Sequence, residues 1–307
     1  MLPALTGLWT PVATPFTATG AVDAGRLVAH GRQLLDDGST GLAVLGTTSE
    51  ANSLSVDERR GVMDACVAGG IPAARLMPGT GSPSLADAVT LTRHAAALGC
   101  AGVLLLPPYY YKAVNDDGLF AFVAGLIEKT GANVPRILLY HIPPIAVIGW
   151  SVDLIRRLVE AFPGVVVGMK NSSGDLAHVK EMIANFPGFA VFPGSESHLL
   201  AAMTAGAVGC ISATANINAG PIARLISHWR DADAGERQSE INAVRAAAEK
   251  RALIPSIKAI LAARYGDEGW RQVRPPLLPL GEKVRTELLA DPAIVGLLQA
   301  SRVKELS

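Results

Sequence analysis

A lone lysine closes the apolar run Val165-Val166-Val167-Gly168-Met169-Lys170, and the small polar residues Asn171-Ser172-Ser173-Gly174-Asp175 follow it. Three consecutive β-branched residues predict a strand covered on both faces. Side chains alternate along a strand, so Val166, Gly168 and Lys170 share one face, and Gly168 leaves space beneath Lys170. Asp175 is placed to cap a helix beginning at Leu176. Burial penalises the charged form of an amine, and a neutral amine attacks carbonyl carbon. The alternative is a strand-end lysine that stretches its head group into water. This fragment by itself leaves the two readings open.

Other chemistry-bearing residues fall at the ends of other short apolar runs. Gly46-Thr47-Thr48-Ser49-Glu50 offers backbone N–H groups and two threonine hydroxyls in a tight turn, which suits a small carboxylate. Tyr140 ends the run Arg136-Ile137-Leu138-Leu139-Tyr140, and its phenol is a candidate proton shuttle for a carbinolamine or enamine. Tyr109-Tyr110-Tyr111 reads as an exposed aromatic loop, either a subunit contact or a pocket wall. Gly194-Ser195-Glu196 ends a further run, and its acid argues against a phosphate site there. The six histidines have no ligand spacing, and only His141 lies beside these groups, so no metal ligand set is expected.

These residues need elements that bring them together. Strands are expected at Leu8–Thr14, Gly41–Leu45, Arg75–Pro78, Ala101–Leu106, Arg136–Tyr140, the Val165 run, Phe189–Phe192 and Gly209–Ser212. Between them run amphipathic helices, among them one opened by a Ser55/Glu58 capping box and one capped by Ser151. Continuous apolar strands separated by helices predict a parallel sheet covered on both faces. Eight such units fit an α/β fold of the (β/α)8 barrel type, and no G-x-G-x-x-G follows a strand as a doubly wound sheet would favour. In a barrel the strand ends converge, which gathers Thr47, Thr48, Tyr140 and Lys170 at one mouth. Past Asp233 the pattern is helical only, with helices expected at Glu236–Leu253, Pro255–Tyr265 and from Gly281 to about Leu306. The expected division is a barrel over 1–232 and a helical appendage over 233–307.

Composition narrows the function classes. Lys plus Arg equals Asp plus Glu at 27 each, which favours neither nucleic acid nor an anionic membrane surface. No apolar run reaches membrane-spanning length, and Met1-Leu2-Pro3-Ala4-Leu5 lacks the basic region of a signal peptide. Cys66, Cys100 and Cys210 are scattered, as expected of structural thiols in a reducing compartment, so the protein is expected in the cytoplasm.

Taken in order, Gly-Thr-Thr-x-Glu, Pro-Tyr-Tyr, Tyr-x-x-Pro, Gly-x-Lys and Gly209-Cys210-Ile211-Ser212 resemble the dihydrodipicolinate synthase / N-acetylneuraminate lyase superfamily, from about Leu8 to the C-terminal helices. The resemblance implies that Lys170 forms a Schiff base with a 2-oxo acid, typically pyruvate, and that Tyr140 donates and accepts protons. It implies that Thr47 and Tyr110 form a proton relay, Tyr110 reaching in from a neighbouring subunit of a homotetramer built as a dimer of dimers. Thr48 and the backbone of Ile211 would hold the pyruvyl group, and no metal or organic cofactor is implied.

The chain departs from dihydrodipicolinate synthases after the Tyr-x-x-Pro segment, where they carry an arginine that grips a carboxylate. Pro143-Pro144-Ile145-Ala146-Val147-Ile148-Gly149-Trp150 has no cation, and an apolar lip is no substitute for a bidentate guanidinium. Ser172, Ser173, Ser195 and Glu196 are instead expected to bond substrate hydroxyls, as for a hydroxy-oxo acid or a 2-keto-3-deoxy sugar acid. The expected activity is a class I lyase or aldolase on 2-oxo acids. 4-Hydroxy-tetrahydrodipicolinate synthase, a 2-oxo-acid dehydratase or deaminase, and a binding protein that has lost turnover are the alternatives.

Overall fold

The computed structural model describes residues 5–305; Met1–Ala4, on which most of the leader reading rests, and Leu306, the expected last helical residue, lie outside that range. Strands β1 (Gly7–Thr10), β2 (Gly41–Leu42), β3 (Val103–Leu105), β4 (Ile137–His141), β5 (Val166–Asn171), β6 (Ala190–Pro193) and β7 (Gly209–Cys210) pair in parallel as β2-β1-β7 and β3-β4-β5-β6. The two sheets join into a closed (β/α)8 barrel. Met77 N–H donates to Leu42 O (2.9 Å) and Thr80 N–H to Leu104 O (2.9 Å), so the segment around Pro78 fills the position between β2 and β3. Val208 N–H to Val191 O (3.2 Å) and Ile211 N–H to Pro193 O (3.1 Å) link β6 to β7.

The expected third strand, Arg75–Pro78, forms isolated bridges instead, at Leu42↔Leu76 and Gly79↔Leu104. Pro78 has no N–H for the ladder, and Arg75 belongs to the 3-10 turn Ala73–Arg75. Proline also shortens the first strand: β1 stops at Thr10, before Pro11. The chain beyond it serves the barrel mouth, where Thr14 Oγ1 donates to Ser49 O (2.7 Å) and Ser49 Oγ to Val12 O (2.5 Å).

The barrel interior is packed with Trp9, Met77, Leu104, Leu138, Phe192 and Ile211. Trp9 fits only because its neighbour across the ladder is glycine: a Cβ on Gly41 would stand 2.3 Å from the Trp9 ring. The outward strand residues, such as Leu139, Val166 and Met169, pack on the surrounding helices; a bulge in β5, where the register with β4 shifts between Ile137 and Leu138, turns Val166 outward, so it does not share the face of Lys170 as expected. Helix starts follow the local chemistry: the Ser55/Glu58 capping box forms, and Ser151 and Asp175 accept from Leu154 and Ala177 N–H groups.

The C-terminal helices Ala234–Glu249 and Leu253–Tyr265 pack against Ala13 and Ile217 of the barrel mouth. The single helix expected from Gly281 is two, Glu282–Leu289 and Pro292–Glu305. Pro292 cannot supply an interior N–H and disfavours helical backbone at Asp291, so the chain restarts there. No helix among the described residues is long and apolar enough to cross a membrane.

Candidate active site

Strands β4 and β5 are in register Tyr140↔Lys170, so both side chains enter the mouth one layer above Leu138. Lys170 is 4 % exposed, and its Nζ lies 4.2 Å from the centroid of the Tyr140 ring. It forms no ion pair among the described residues. Tyr140 Oη is 3.1 Å from Thr47 Oγ1, which extends the phenol into a two-hydroxyl path at the β2 end. Thr48 is buried and lines the same cavity as Tyr140, Lys170 and Ser172. One expectation is revised. Gly168 does not simply clear room beneath the lysine: a Cβ there would stand 2.4 Å from Ala190 O, so glycine is needed for the close approach of β6.

The hydroxyl turn is braced from far along the chain. Glu50 adopts a left-handed conformation (φ 55°), and its side chain is fully buried in an ion pair with Lys258 of helix Leu253–Tyr265. Lys258 also donates to Gln272 O (2.7 Å), Glu50 accepts from Arg274 N–H (2.8 Å), and the Phe16 ring lies 4.4 Å from Lys258 Nζ. Burial, opposed by Glu50, pulls the Lys258 amine down to about 8. Lys258 is thus a second buried lysine, but it does not line the cavity and its charge is matched by a carboxylate. Lys170 is the lysine that lines the cavity. Sequence reasoning missed Lys258, Arg245 and Arg274, because no local spacing links a lysine to a glutamate 208 positions away.

Glu196 does not take the place expected of it. Its side chain is fully buried, and it accepts from Ser212, from Thr214 and from Arg245 Nη1 (2.9 Å) rather than facing the cavity. It follows Ser195 into a 3-10 turn that aims the carboxylate inward, toward helix Ala234–Glu249. Glu196→Ala is therefore expected to cost about 3–5 kcal/mol of stability by stripping partners from a buried arginine. The KM for a 2-oxo acid should stay within a factor of about two. Denaturant titration with initial-rate kinetics checks this, and a large KM rise at unchanged stability would restore the substrate role.

The remaining expected residues divide. Ser172 lines the cavity, and its hydroxyl makes no hydrogen bond among the described residues. A Cβ on Gly194 would stand 1.9 Å from Ser172 Oγ, so that glycine keeps the hydroxyl in place. Ile211 is fully buried in the barrel interior and is not among the residues that line the cavity, and its N–H is spent on Pro193 O, so of its backbone only the carbonyl oxygen is left. Tyr110 is 71 % exposed, stacks edge-to-face on Tyr111, and does not line the cavity of its own chain.

His141 points away from the cavity. Trp150 N–H donates to its Nδ1 (3.1 Å), and His178 stacks on it with ring centroids 4.7 Å apart. Burial, with His178 second, lowers His141 to about 4; burial, opposed by the Asn216 hydrogen bond, does the same to His30. The unfolded chain would therefore bind protons between about pH 6.5 and 4 that the native rings refuse. Stability must fall as pH drops through that window, by on the order of 3 kcal/mol per ring. Urea midpoints measured from pH 7.5 to 4 should decline accordingly, and a level profile would contradict it.

Comparison with known proteins agrees with the fold. The model of the dihydrodipicolinate synthetase family matches residues 4–292. A 4-hydroxy-tetrahydrodipicolinate synthase of Rhizobium meliloti is 37 % identical over 205 residues, 66 % of this chain and 68 % of that protein. Among solved structures, the dihydrodipicolinate synthase of Agrobacterium tumefaciens superposes with a TM-score of 0.87 at 31 % identity, covering 95 % of this chain and 99 % of its own. YagE, a prophage protein of the same family from E. coli K12 solved in complex with pyruvate, gives a TM-score of 0.86 at 25 % identity, covering 98 % and 99 %.

Proposed function

The chain belongs to the dihydrodipicolinate synthetase family, and from that premise we propose that Lys170 is the amine through which it works as a class I lyase on 2-oxo acids. The observation that carries this reading is the amine itself: buried at the cavity floor, over the Tyr140 ring, with no carboxylate to hold its charge. The Lys170 amine adds to C2 of the substrate. Tyr140, with Thr47 behind it, protonates the carbinolamine oxygen, and water leaves to give the imine. The imine draws the electron pair of the C3–C4 bond, or of C3–H, and the resulting enamine is reprotonated before hydrolysis frees the lysine. Thr48 donates to the pyruvyl carboxylate, and the carbonyl of Ile211 accepts from the carbinolamine hydroxyl or the protonated imine N–H. Pyruvate as that 2-oxo acid is supported by its presence in the YagE complex.

Borohydride added with pyruvate should fix a pyruvyl adduct on the peptide that contains Lys170, read by mass spectrometry. No adduct, or an adduct on another lysine, refutes the assignment.

A second reading, 4-hydroxy-tetrahydrodipicolinate synthase, is favoured by the name of the Rhizobium meliloti relative. Turnover with pyruvate and aspartate semialdehyde would establish it. The exposed aromatic pair Tyr110 and Tyr111 supports a homotetramer in which Tyr110 enters a neighbour's site beside Thr47. Buried, unpaired Cys66, Cys100 and Cys210 suit a cytoplasmic setting. The division into a barrel over 1–232 and an appendage over 233–307 is supported by the all-helical composition of the second part.

A further inference from the structure

The cavity above Lys170 is far larger than a pyruvyl group needs, about 530 Å³, and its outer part is built from different residues than its floor. A cavity of that size holds a whole drug-sized molecule, so it has room for a substantial distal half of the substrate. The outer wall is Leu176 and Val179 on one side, Ala202 on another, and Leu253, Ile254 and Pro255 from the C-terminal helices.

Most of the lining serines are already tied into the protein, and His198 is the one imidazole that lines the cavity. Ser195 and Ser197 bond each other at 2.9 Å, and Ser173 Oγ accepts from Asp175 N–H at 3.1 Å. Beside Lys170, Arg245 is the cation that reaches the cavity. Its guanidinium lies between Glu196 (2.9 Å) and Glu249, and its remaining Nε is buried rather than presented. That group of three carries one net negative charge, and Asp175 adds another at the mouth. Of the lining serine hydroxyls, Ser172 alone makes no hydrogen bond among the described residues.

We propose, resting on the Schiff-base reading above, that the substrate beyond C4 is an apolar alkyl or aryl group with no second carboxylate. The partner aldehyde is then apolar too. In the condensing direction, the Lys170 amine and pyruvate give the imine and water. The imine loses a C3 proton to the Tyr140–Thr47 path, leaving an enamine. Enamine C3 bonds to the aldehyde carbon, and the aldehyde oxygen takes a proton and becomes the C4 hydroxyl beside Ser172. Water then hydrolyses the imine, restoring Lys170 and releasing a 4-hydroxy-2-oxo acid. No oxidant or reductant is involved.

The test uses the full chain with saturating pyruvate and a series of aldehydes. Propanal to hexanal and benzaldehyde are compared with glyceraldehyde and succinic semialdehyde, and products are quantified by mass spectrometry. For the alkyl series kcat/KM should rise about fourfold per methylene. Succinic semialdehyde should fall below pentanal by on the order of 100-fold, because once Lys170 holds pyruvate its carboxylate meets no unpaired lysine or arginine in the lining. Borohydride trapping of pyruvate is run in parallel. If Lys170 is trapped but glyceraldehyde or succinic semialdehyde matches the alkyl aldehydes, or nothing condenses, the apolar assignment is overturned while the Schiff-base reading stands. If Lys170 is not trapped, both fall.

Discussion

Tyr140→Phe should lower turnover by about 10²- to 10⁴-fold while leaving Lys170 able to capture pyruvate on long incubation with borohydride. The phenol oxygen is what the variant removes, and that oxygen is 3.1 Å from Thr47 Oγ1. The ring that packs against Lys170 Nζ stays, so the amine keeps its surroundings. Proton transfer to the carbinolamine oxygen and to the enamine carbon then falls to water, which is not positioned for it. The loss should appear in kcat, with KM for pyruvate little changed, since Thr48 is untouched. Thr47→Val removes the second hydroxyl of the path and should cost less, about tenfold. A Phe variant within a few-fold of the parent would mean that the tyrosine only packs against the lysine.

The second large effect lies away from the reacting atoms. Lys258→Ala should destabilise the protein by about 3–5 kcal/mol, because it leaves the fully buried Glu50 carboxylate with the Arg274 N–H in place of an ion pair. Glu50 is the last residue of the turn that carries Thr47 and Thr48, and it sits in a left-handed conformation that the surrounding contacts must hold. Loss of stability should therefore be accompanied by a raised KM for the 2-oxo acid. Pairing Lys258→Met with Glu50→Gln removes both charges at similar volume, and most of the lost stability should return. Urea unfolding of the two variants beside the parent, with KM measured on each, decides the matter. A Lys258→Ala protein within about 1 kcal/mol of the parent would show that Glu50 finds a substitute partner.

The apolar distal wall and the braced turn have a common origin. Both are made where the C-terminal helices cross the barrel mouth, with Leu253 and Ile254 facing the cavity and Lys258 reaching Glu50. The barrel thus supplies the reacting groups, and the helices beyond it shape what those groups meet.

The periodicity of the chain carried the barrel and its chemistry a long way. Alternation along a buried strand determines that Lys170 and Gly168 share a face, and the order of parallel units determines that Tyr140 stands beside Lys170. Cap chemistry is local, so the Ser55/Glu58 box and the Asp175 cap were legible from a few adjacent residues. Pro11, Pro78 and Pro292 shifted element ends because a missing N–H acts on the one residue that needs it, against the average pattern around it. What only the tertiary structure decided was how the polar side chains are spent. Glu196 could equally have met a substrate or an arginine, and the choice depends on Arg245, 49 positions on. Charge pairing across such separations leaves no periodic trace, since it depends on where whole helices come to rest. The same holds for the outer wall, whose leucines carry no signal of a cavity in sequence and come to line one only when the helices cross the barrel mouth.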